Sequence, residues 1–356
     1  MKLSELSTPV LLLDWKQAQK NLENVLERAK ELGIAVRPHY KSYRAPRIGK
    51  YLVEQGCKGL CCATIGEAED CAEAGIENVL ITNVLVSMSK LKRAAAIAGK
   101  CRLTVCVDAV QNILDYEKAA AEAGTEIYVF VECNVGQNRC GVNTKEEVLE
   151  LAQLIEQQPH LHFDGIQAYA GQLSHEPDEE KSIEAGISAE TKVKEIKALL
   201  EDNGIKVNEI SGLSSSSFTL RRKMGGTAYT EAQCGSFLYV GNEFQPVKYF
   251  PFDNALYLLG TVISVKPDSF VTDCGLKTVS VDNGNPVLKD YPELASGMSE
   301  ENITHFMKAQ PYHPGDQVIY LPAHACTTVN LHRKMYLVDG DEVLEEVEIT
   351  SHGKSQ

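Results

Sequence analysis

The sequence predicts an α/β chain built as a (β/α)8 barrel followed by an all-β domain, and three observations carry that reading. Eight short apolar runs, at 34–36, 59–63, 78–82, 103–107, 127–131, 163–168, 209–212 and 233–239, alternate with helical stretches. Continuous apolar strands alternating with helices indicate a parallel sheet covered on both faces, and eight such units suit a closed barrel better than an open sheet. After about Phe252 the texture changes to strand-like runs separated by Gly, Pro, Asp and Asn, with little helical periodicity. A chain of 356 residues, 44% hydrophobic, can bury a core large enough for a barrel and an appendage.

Taken in order, Val10 to Asp14 reads as a first strand, reached through Ser7, Thr8 and Pro9. A helix over 15–32 follows, with Leu22, Val25, Leu26 and Ala29 on one face. Helical stretches at 44–54, 66–74, 89–98, 110–123, 145–157 and 182–203 then separate the barrel strands. The interval 213–233 is irregular, which makes the eighth unit the hardest to draw. Strands are expected at 257–262, 269–272, 278–281, 317–321, 334–338 and 342–349. The barrel is therefore assigned to 15–245, and the β domain to 1–14 plus 246–356. Residues 352–356 are expected to fray.

Composition narrows the function. A net charge of -14 and a pI near 5.2 argue against a nucleic-acid or membrane-surface partner, since both need a basic face. No apolar stretch approaches the ~20 residues of a membrane helix, and the Met1-Lys2-Leu3-Ser4 start lacks a hydrophobic signal core. The 11 cysteines lack a disulfide framework, and Cys61, Cys62, Cys106 and Cys133 fall in strands as small buried thiols. A cytoplasmic protein with reduced thiols is expected.

Four stretches could carry chemistry. Lys41, in Arg37-Pro38-His39-Tyr40-Lys41, follows the strand at 34–36, where barrels build their sites. It is either a solvated cation or a nucleophile; Arg37, His39, Arg44 and Arg47 lie near in sequence, and cationic neighbours favour a neutral amine able to form a Schiff base. Arg139 stands just beyond the strand at 127–131, between Gly136 and Gly141, which let backbone approach a ligand. It either faces solvent from a capping turn or meets a pyridine nitrogen, which it would leave unprotonated. Gly212, Leu213, Ser214, Ser215 and Ser216 form a small-residue βα loop, either flexible or suited to phosphate. His324-Ala325-Cys326 places imidazole and thiol at i and i+2, on one side of an extended segment, as a Zn²⁺ pair with open positions or as a chance juxtaposition.

Together these stretches resemble the fold-type III pyridoxal 5'-phosphate (PLP) enzymes of the D-threonine aldolase and D-serine dehydratase group. The resemblance spans nearly the whole chain, through Thr8-Pro9, Arg37 to Lys41, Glu67-Ala68-Glu69, Ile81-Thr82-Asn83, Val135 to Val142, Gln167-Ala168-Tyr169, Tyr229-Thr230-Glu231, Gly235-Ser236 and His324 to His332 in the family's order. It implies an alanine racemase-like barrel, a C-terminal β domain, and a homodimer with sites near its interface. It implies Lys41 as the Schiff-base lysine, Arg139 as partner of the pyridine nitrogen, Tyr169 along the cofactor, and Gly212 to Ser216 around its phosphate. His324 and Cys326 would bind a divalent metal, Zn²⁺ or Mn²⁺, that grips a substrate 3-hydroxyl, with His324 part of the catalytic machinery. Two departures are plain: four serines replace the aldolases' glycine-rich phosphate loop, and His-x-Cys replaces their His-x-Asp and matches the dehydratases. The expected activity is a lyase on D-3-hydroxyamino acids of the D-threonine aldolase type. The alternatives are D-serine or D-3-hydroxyaspartate dehydration and, more distantly, PLP-dependent amino-acid racemisation.

Overall fold

The computed structural model describes residues Met1–Gln356. Strand β1 (Val10–Asp14) runs directly into the helix Trp15–Leu32. Asp14 caps that helix by accepting the Gln17 amide at 2.9 Å, and Gly33, at φ +69°, supplies the left-handed turn that ends it. The barrel strands follow: β2 (Ala35–Val36), β3 (Leu60–Cys62), β4 (Asn78–Ile81), β5 (Arg102–Val107), β6 (Ile127–Glu132), β7 (Leu161–Ala168), β8 (Glu209–Gly212) and β9 (Glu231–Ala232). All pair in parallel, in the order β2-β9-β8-β7-β6-β5-β4-β3. A parallel bridge between His39 and Cys61, with the Cys61 amide donating to the Pro38 carbonyl at 2.9 Å, joins the ends of that order.

The remaining strands are β10 (Leu256–Lys266), β11 (Ser269–Thr272), β12 (Val287–Leu288), β13 (Ser296–Met298), β14 (Ile303–Phe306), β15 (Gln317–Leu321), β16 (Lys334–Asp339) and β17 (Glu342–Glu348). They form a second sheet in the order β13-β14-β11-β10-β1-β16-β17, with β15 paired to β10 and β12. Strand β1 lies inside that sheet, antiparallel to β10 and parallel to β16, so the chain's first strand is pinned between its last ones. The fold is alanine racemase-like, a parallel α/β barrel with a mostly β C-terminal domain. No helix is long and apolar enough to cross a membrane.

The barrel interior is half apolar and half polar. Cys61, Leu80, Cys106 and Phe130 form a small apolar plug. Across from it a buried chain of hydrogen bonds climbs the strands. Arg37 holds Glu231 through two contacts of 2.9 and 3.0 Å, and Ser211 donates to the same carboxylate at 2.5 Å. Gln233 donates to both Ser211 Oγ and Gln167 Oε1 at 2.8 Å, and Gln167 donates to Glu132 and to the Thr82 carbonyl. Burial alone would raise the Glu231 carboxyl, but Arg37 and Lys58 outweigh it and hold the group down at about 2. Glu132 has only amide help and a more distant Arg139, and burial pushes it up to about 8.

Three local expectations fail. The run 233–239 is not a strand: β9 stops at Ala232, and beyond it the chain turns, with Val240 at φ +49°. Gly235 explains the turn, since a Cβ there would stand 2.6 Å from Ser42 Oγ. The run 278–281 is a loop, closed on itself by Thr278 and Val279 amides donating to the Gly275 carbonyl at 2.9 and 3.1 Å. Residues 352–356 do not fray but lie on the barrel, where Thr64 Oγ1 donates to the Lys354 carbonyl at 2.8 Å and Lys354 meets Asp70 at 2.5 Å.

Candidate active site

Arg37, His39 and Lys41 lie beyond the carboxyl end of β2, where barrels build their sites. Lys41 lands in a single turn, Tyr40–Ser42, at the floor of a cavity of about 900 Å³. That volume is in the range of pockets that enclose a cofactor-sized ligand. Its walls include Lys41, Arg139, Tyr169, Ser214, Ser215, Ser216, His324 and Cys326. These side chains, spread over 286 positions of sequence from 41 to 326, thus meet in one place.

Gly212 does not reach the cavity wall. A Cβ there would stand 2.5 Å from the Ala168 carbonyl and 2.6 Å from the Tyr229 ring, so packing between β7 and Tyr229 requires the glycine. The serines that follow do different jobs. Ser214 caps the short helix Ser215–Thr219 by accepting the Ser217 amide at 3.2 Å. Ser215 Oγ accepts the Phe237 amide at 3.1 Å, and Ser216 donates to the Ser174 carbonyl at 2.6 Å. Tyr169 reaches Ser174 Oγ at 3.2 Å from the end of β7.

The cations near Lys41 in sequence are largely answered by carboxylates, which corrects the expectation of an uncompensated basic neighbourhood. Arg37 is spent on Glu231, Arg44 meets Glu67 at 3.1 Å, and Arg47 meets Glu345 at 3.0 Å. His39 adds no charge: burial first, then Lys41, Arg139 and Arg44, hold its imidazole well below the usual value. Arg139 sits on an exposed loop after β6.

The His-x-Cys segment is not extended throughout. His324 has extended backbone and caps the helix Ala325–Val329, in whose first turn Cys326 lies. The two side chains are nevertheless close enough for each to shift the other's titration. Nδ1 of His324 is tied to Asp282 at 2.6 Å, and Asp282 also receives the hydroxyls of Ser280 at 2.5 Å and Thr327 at 2.9 Å. Burial would lower the imidazole, but Cys326, Asp282 and Glu243 outweigh it and raise it to about 9. Burial would likewise raise the Cys326 thiol, but His324 and Lys41 hold it below its ordinary value. A metal ligand must give up its proton, and a lowered thiol gives it up more readily. No cluster of three or more His, Cys, Asp or Glu side chains that could hold a metal ion forms.

Several cavity residues had no signal of their own in the sequence. Asp282 is 42 positions from His324, just past the run 278–281. His175 lines the wall beside Phe244, ring centroids 4.8 Å apart, and burial and the charge of His324 keep it below its ordinary value. Gln233, just beyond β9, also lines the cavity.

The arrangement of fold and cavity is that of a known class. The family described as Alanine racemase, N-terminal domain, matches residues 13–243, and a Putative serine dehydratase domain matches 255–338. The chain is 34% identical to 3-hydroxy-D-aspartate aldolase of Paracoccus denitrificans over 93% of its length and 88% of that protein. It is 32% identical to D-threonine aldolase of an Arthrobacter species over 99% of its length and 95% of that protein. The crystal structure of D-threonine aldolase from Filomicrobium marinum superposes with a TM-score of 0.95 at 29% identity, covering 100% of this chain and 98% of that one. D-threo-3-hydroxyaspartate dehydratase from Delftia sp. HT23, at 20% identity and a TM-score of 0.87, shares the fold. The chain belongs to the D-threonine aldolase and D-serine dehydratase family, whose barrel is that of the alanine racemases. Its fold and family imply PLP as cofactor.

Proposed function

We propose that this chain is a PLP-dependent lyase that cleaves the Cα–Cβ bond of D-3-hydroxyamino acids to glycine and an aldehyde, with a divalent ion at His324 and Cys326. The observation that carries it is the convergence of Lys41, Arg139 and the His324–Cys326 pair on one cavity. The donors fit the two groups: a primary amine and a guanidinium for the cofactor, and an imidazole and a lowered thiol for Zn²⁺ or Mn²⁺. When bound, the cofactor supplies an electron sink for the carbon left behind, and the ion supplies a Lewis acid for the substrate's 3-hydroxyl.

The chain's own residues supply the rest. Lys41 would hold the cofactor covalently, Arg139 would face its ring nitrogen, Tyr169 would line it, and the Ser214 to Ser216 turn would take its phosphate on the unpaired amides of the first helical turn. Asp282 fixes His324 so that the remaining ring nitrogen faces Cys326. His175 is the free base in the wall: it has no hydrogen-bond partner in the protein and is kept neutral, so it can take the proton of the substrate hydroxyl. Phe244 and Val279 supply apolar wall in the same cavity. A homodimer and a cytoplasmic setting belong to the same reading, the latter supported by eleven free cysteines.

Cys326 favours a second reading, elimination of the hydroxyl to give a 2-oxo acid and ammonia, because a thiol at this place is the dehydratase pattern. Cofactor-loaded protein with D-threonine, scored for glycine against 2-oxo acid, separates the two. Turnover by Lys41→Ala at the wild-type rate is incompatible with either.

A further inference from the structure

Arg44 links the lysine turn, the barrel wall, the Ala325–Val329 helix and the end of the chain. Its backbone is left-handed at φ +50°, a conformation uncommon outside glycine, and its amide donates to the Tyr40 carbonyl at 2.8 Å, closing the turn that carries Lys41. From there the guanidinium spreads in three directions. It meets the buried carboxylate of Glu67 at 3.1 Å, donates to Asn330 Oδ1 at 2.6 Å, and donates to the Ser351 carbonyl at 3.0 Å. The Ser351 amide returns to the Arg44 carbonyl at 3.3 Å.

Asn330 is the far end of this clamp. It ends the helix Ala325–Val329, its amide donates to the Cys326 carbonyl at 3.4 Å, and its Oδ1 also accepts the Gly353 amide at 2.8 Å. A second, weaker tie runs beside the first, from Ser42 Oγ to Cys326 Sγ at 3.4 Å. The helix that carries Cys326 belongs to the β domain and the turn that carries Lys41 belongs to the barrel, so their separation is set by contacts between domains. Arg44 makes one of these, with a planar guanidinium that reaches three acceptors, and the Asn242 and Glu243 amides make others by donating to the Pro322 and Ala323 carbonyls at 2.9 and 3.0 Å.

We propose that Arg44, acting through Asn330, is a positioning residue that sets the Cys326 helix against the Lys41 turn and thereby fixes the ion-binding geometry of His324 and Cys326. The inference rests on the reading of that pair as a divalent-ion site. Arg44 touches neither donor atom; it holds the backbone that presents one of them. A lysine in its place keeps the charge beside Glu67 but cannot span to Asn330 and Ser351 together.

The test is a titration of Zn²⁺, and separately Mn²⁺, into cofactor-loaded protein against a competing chelator, with melting temperature recorded alongside. Arg44→Ala leaves the Glu67 carboxylate buried and unpaired and can fail to fold, so Asn330→Ala is the primary variant: it cuts the arm to the helix and leaves Arg44 on Glu67. Asn330→Ala and Arg44→Lys are each expected to weaken ion binding about tenfold or more, the scale seen when groups supporting a ligand are removed. The double variant is expected to lose little beyond either single one, since both cut the same link. Arg93→Ala serves as control: it releases Glu69 and the Gln356 carbonyl, loosening the tail away from the site, and is expected to bind the ion as wild type does. Unchanged ion affinity in Asn330→Ala and Arg44→Lys, with or without a lower melting temperature, overturns the inference, as does equal weakening in Arg93→Ala. If wild-type protein binds neither ion, the reading of His324 and Cys326 fails and this inference with it.

Discussion

Asp282 accepts a 2.6 Å hydrogen bond from Nδ1 of His324 and, with two hydroxyls also donating to it, is held down at about 2 despite the cost of its partial burial. The imidazole is therefore anchored at Nδ1, which leaves Nε2 for another partner. Asp282→Asn keeps the shape but removes the charge that favours the imidazolium. The expected outcome is a ~10- to 100-fold loss of ion affinity, measured by chelator competition. In ion-free protein the His324 titration, followed by NMR, should move down from about 9.

His175 differs from His324 in having no carboxylate partner, and burial keeps it neutral. His175→Gln removes the base while leaving Phe244 a planar neighbour. A drop of roughly 10²-fold or more in kcat with little change in KM is expected, in line with the usual worth of a positioned base. An unchanged kcat places the proton elsewhere.

The buried Arg37–Glu231 pair makes an acid-stability prediction. Glu231 is held at about 2 in the folded chain against an ordinary 4.5, so its ionised form is favoured by folding. That contribution is complete above pH 4.5 and is lost as pH falls toward 2. Melting temperature should decline over that window in wild type, and the part due to this residue should vanish in Glu231→Gln. The substitution also strands the buried Arg37, while Lys58 keeps Glu209, at a cost of about 3–5 kcal/mol by chemical denaturation at neutral pH.

Gly212→Ala distinguishes packing from ligand contact. The added methyl meets backbone at 2.5 Å and a buried ring at 2.6 Å, so β7 or Tyr229 must move. Overpacking of this kind costs roughly 1–3 kcal/mol. Stability should fall while PLP affinity, read by absorbance titration, changes only slightly; the reverse pattern would return Gly212 to the phosphate site.

The barrel and its family were legible in the sequence because their signals are local: apolar runs at regular spacing, and motifs such as Arg37 to Lys41 that keep their order. The short β9 was not, because its strand is two residues long and the apolar run that suggested it belongs to a turn shaped by Gly235. Asp282 was hidden for a different reason. Its role is defined by the Thr327 hydroxyl and the His324 imidazole, which reach it across the fold, and the local Ser280 hydroxyl alone does not reveal it. The interior chain from Arg37 to Glu132 is written in single polar residues at alternate positions of different strands, which look like ordinary breaks in apolar runs. The tail was misjudged because terminal position says nothing about partners, and Lys354 has one in Asp70.

One assay bears most directly on the central claim. Cofactor-loaded wild-type protein with Zn²⁺ or Mn²⁺ is given D-threonine, D-serine and D-3-hydroxyaspartate separately, and products are resolved by chromatography. The account predicts glycine, with the matching aldehyde, from at least one substrate, and none from Lys41→Ala. Formation of a 2-oxo acid and ammonia in place of glycine, or of the L-amino acid alone, would contradict it.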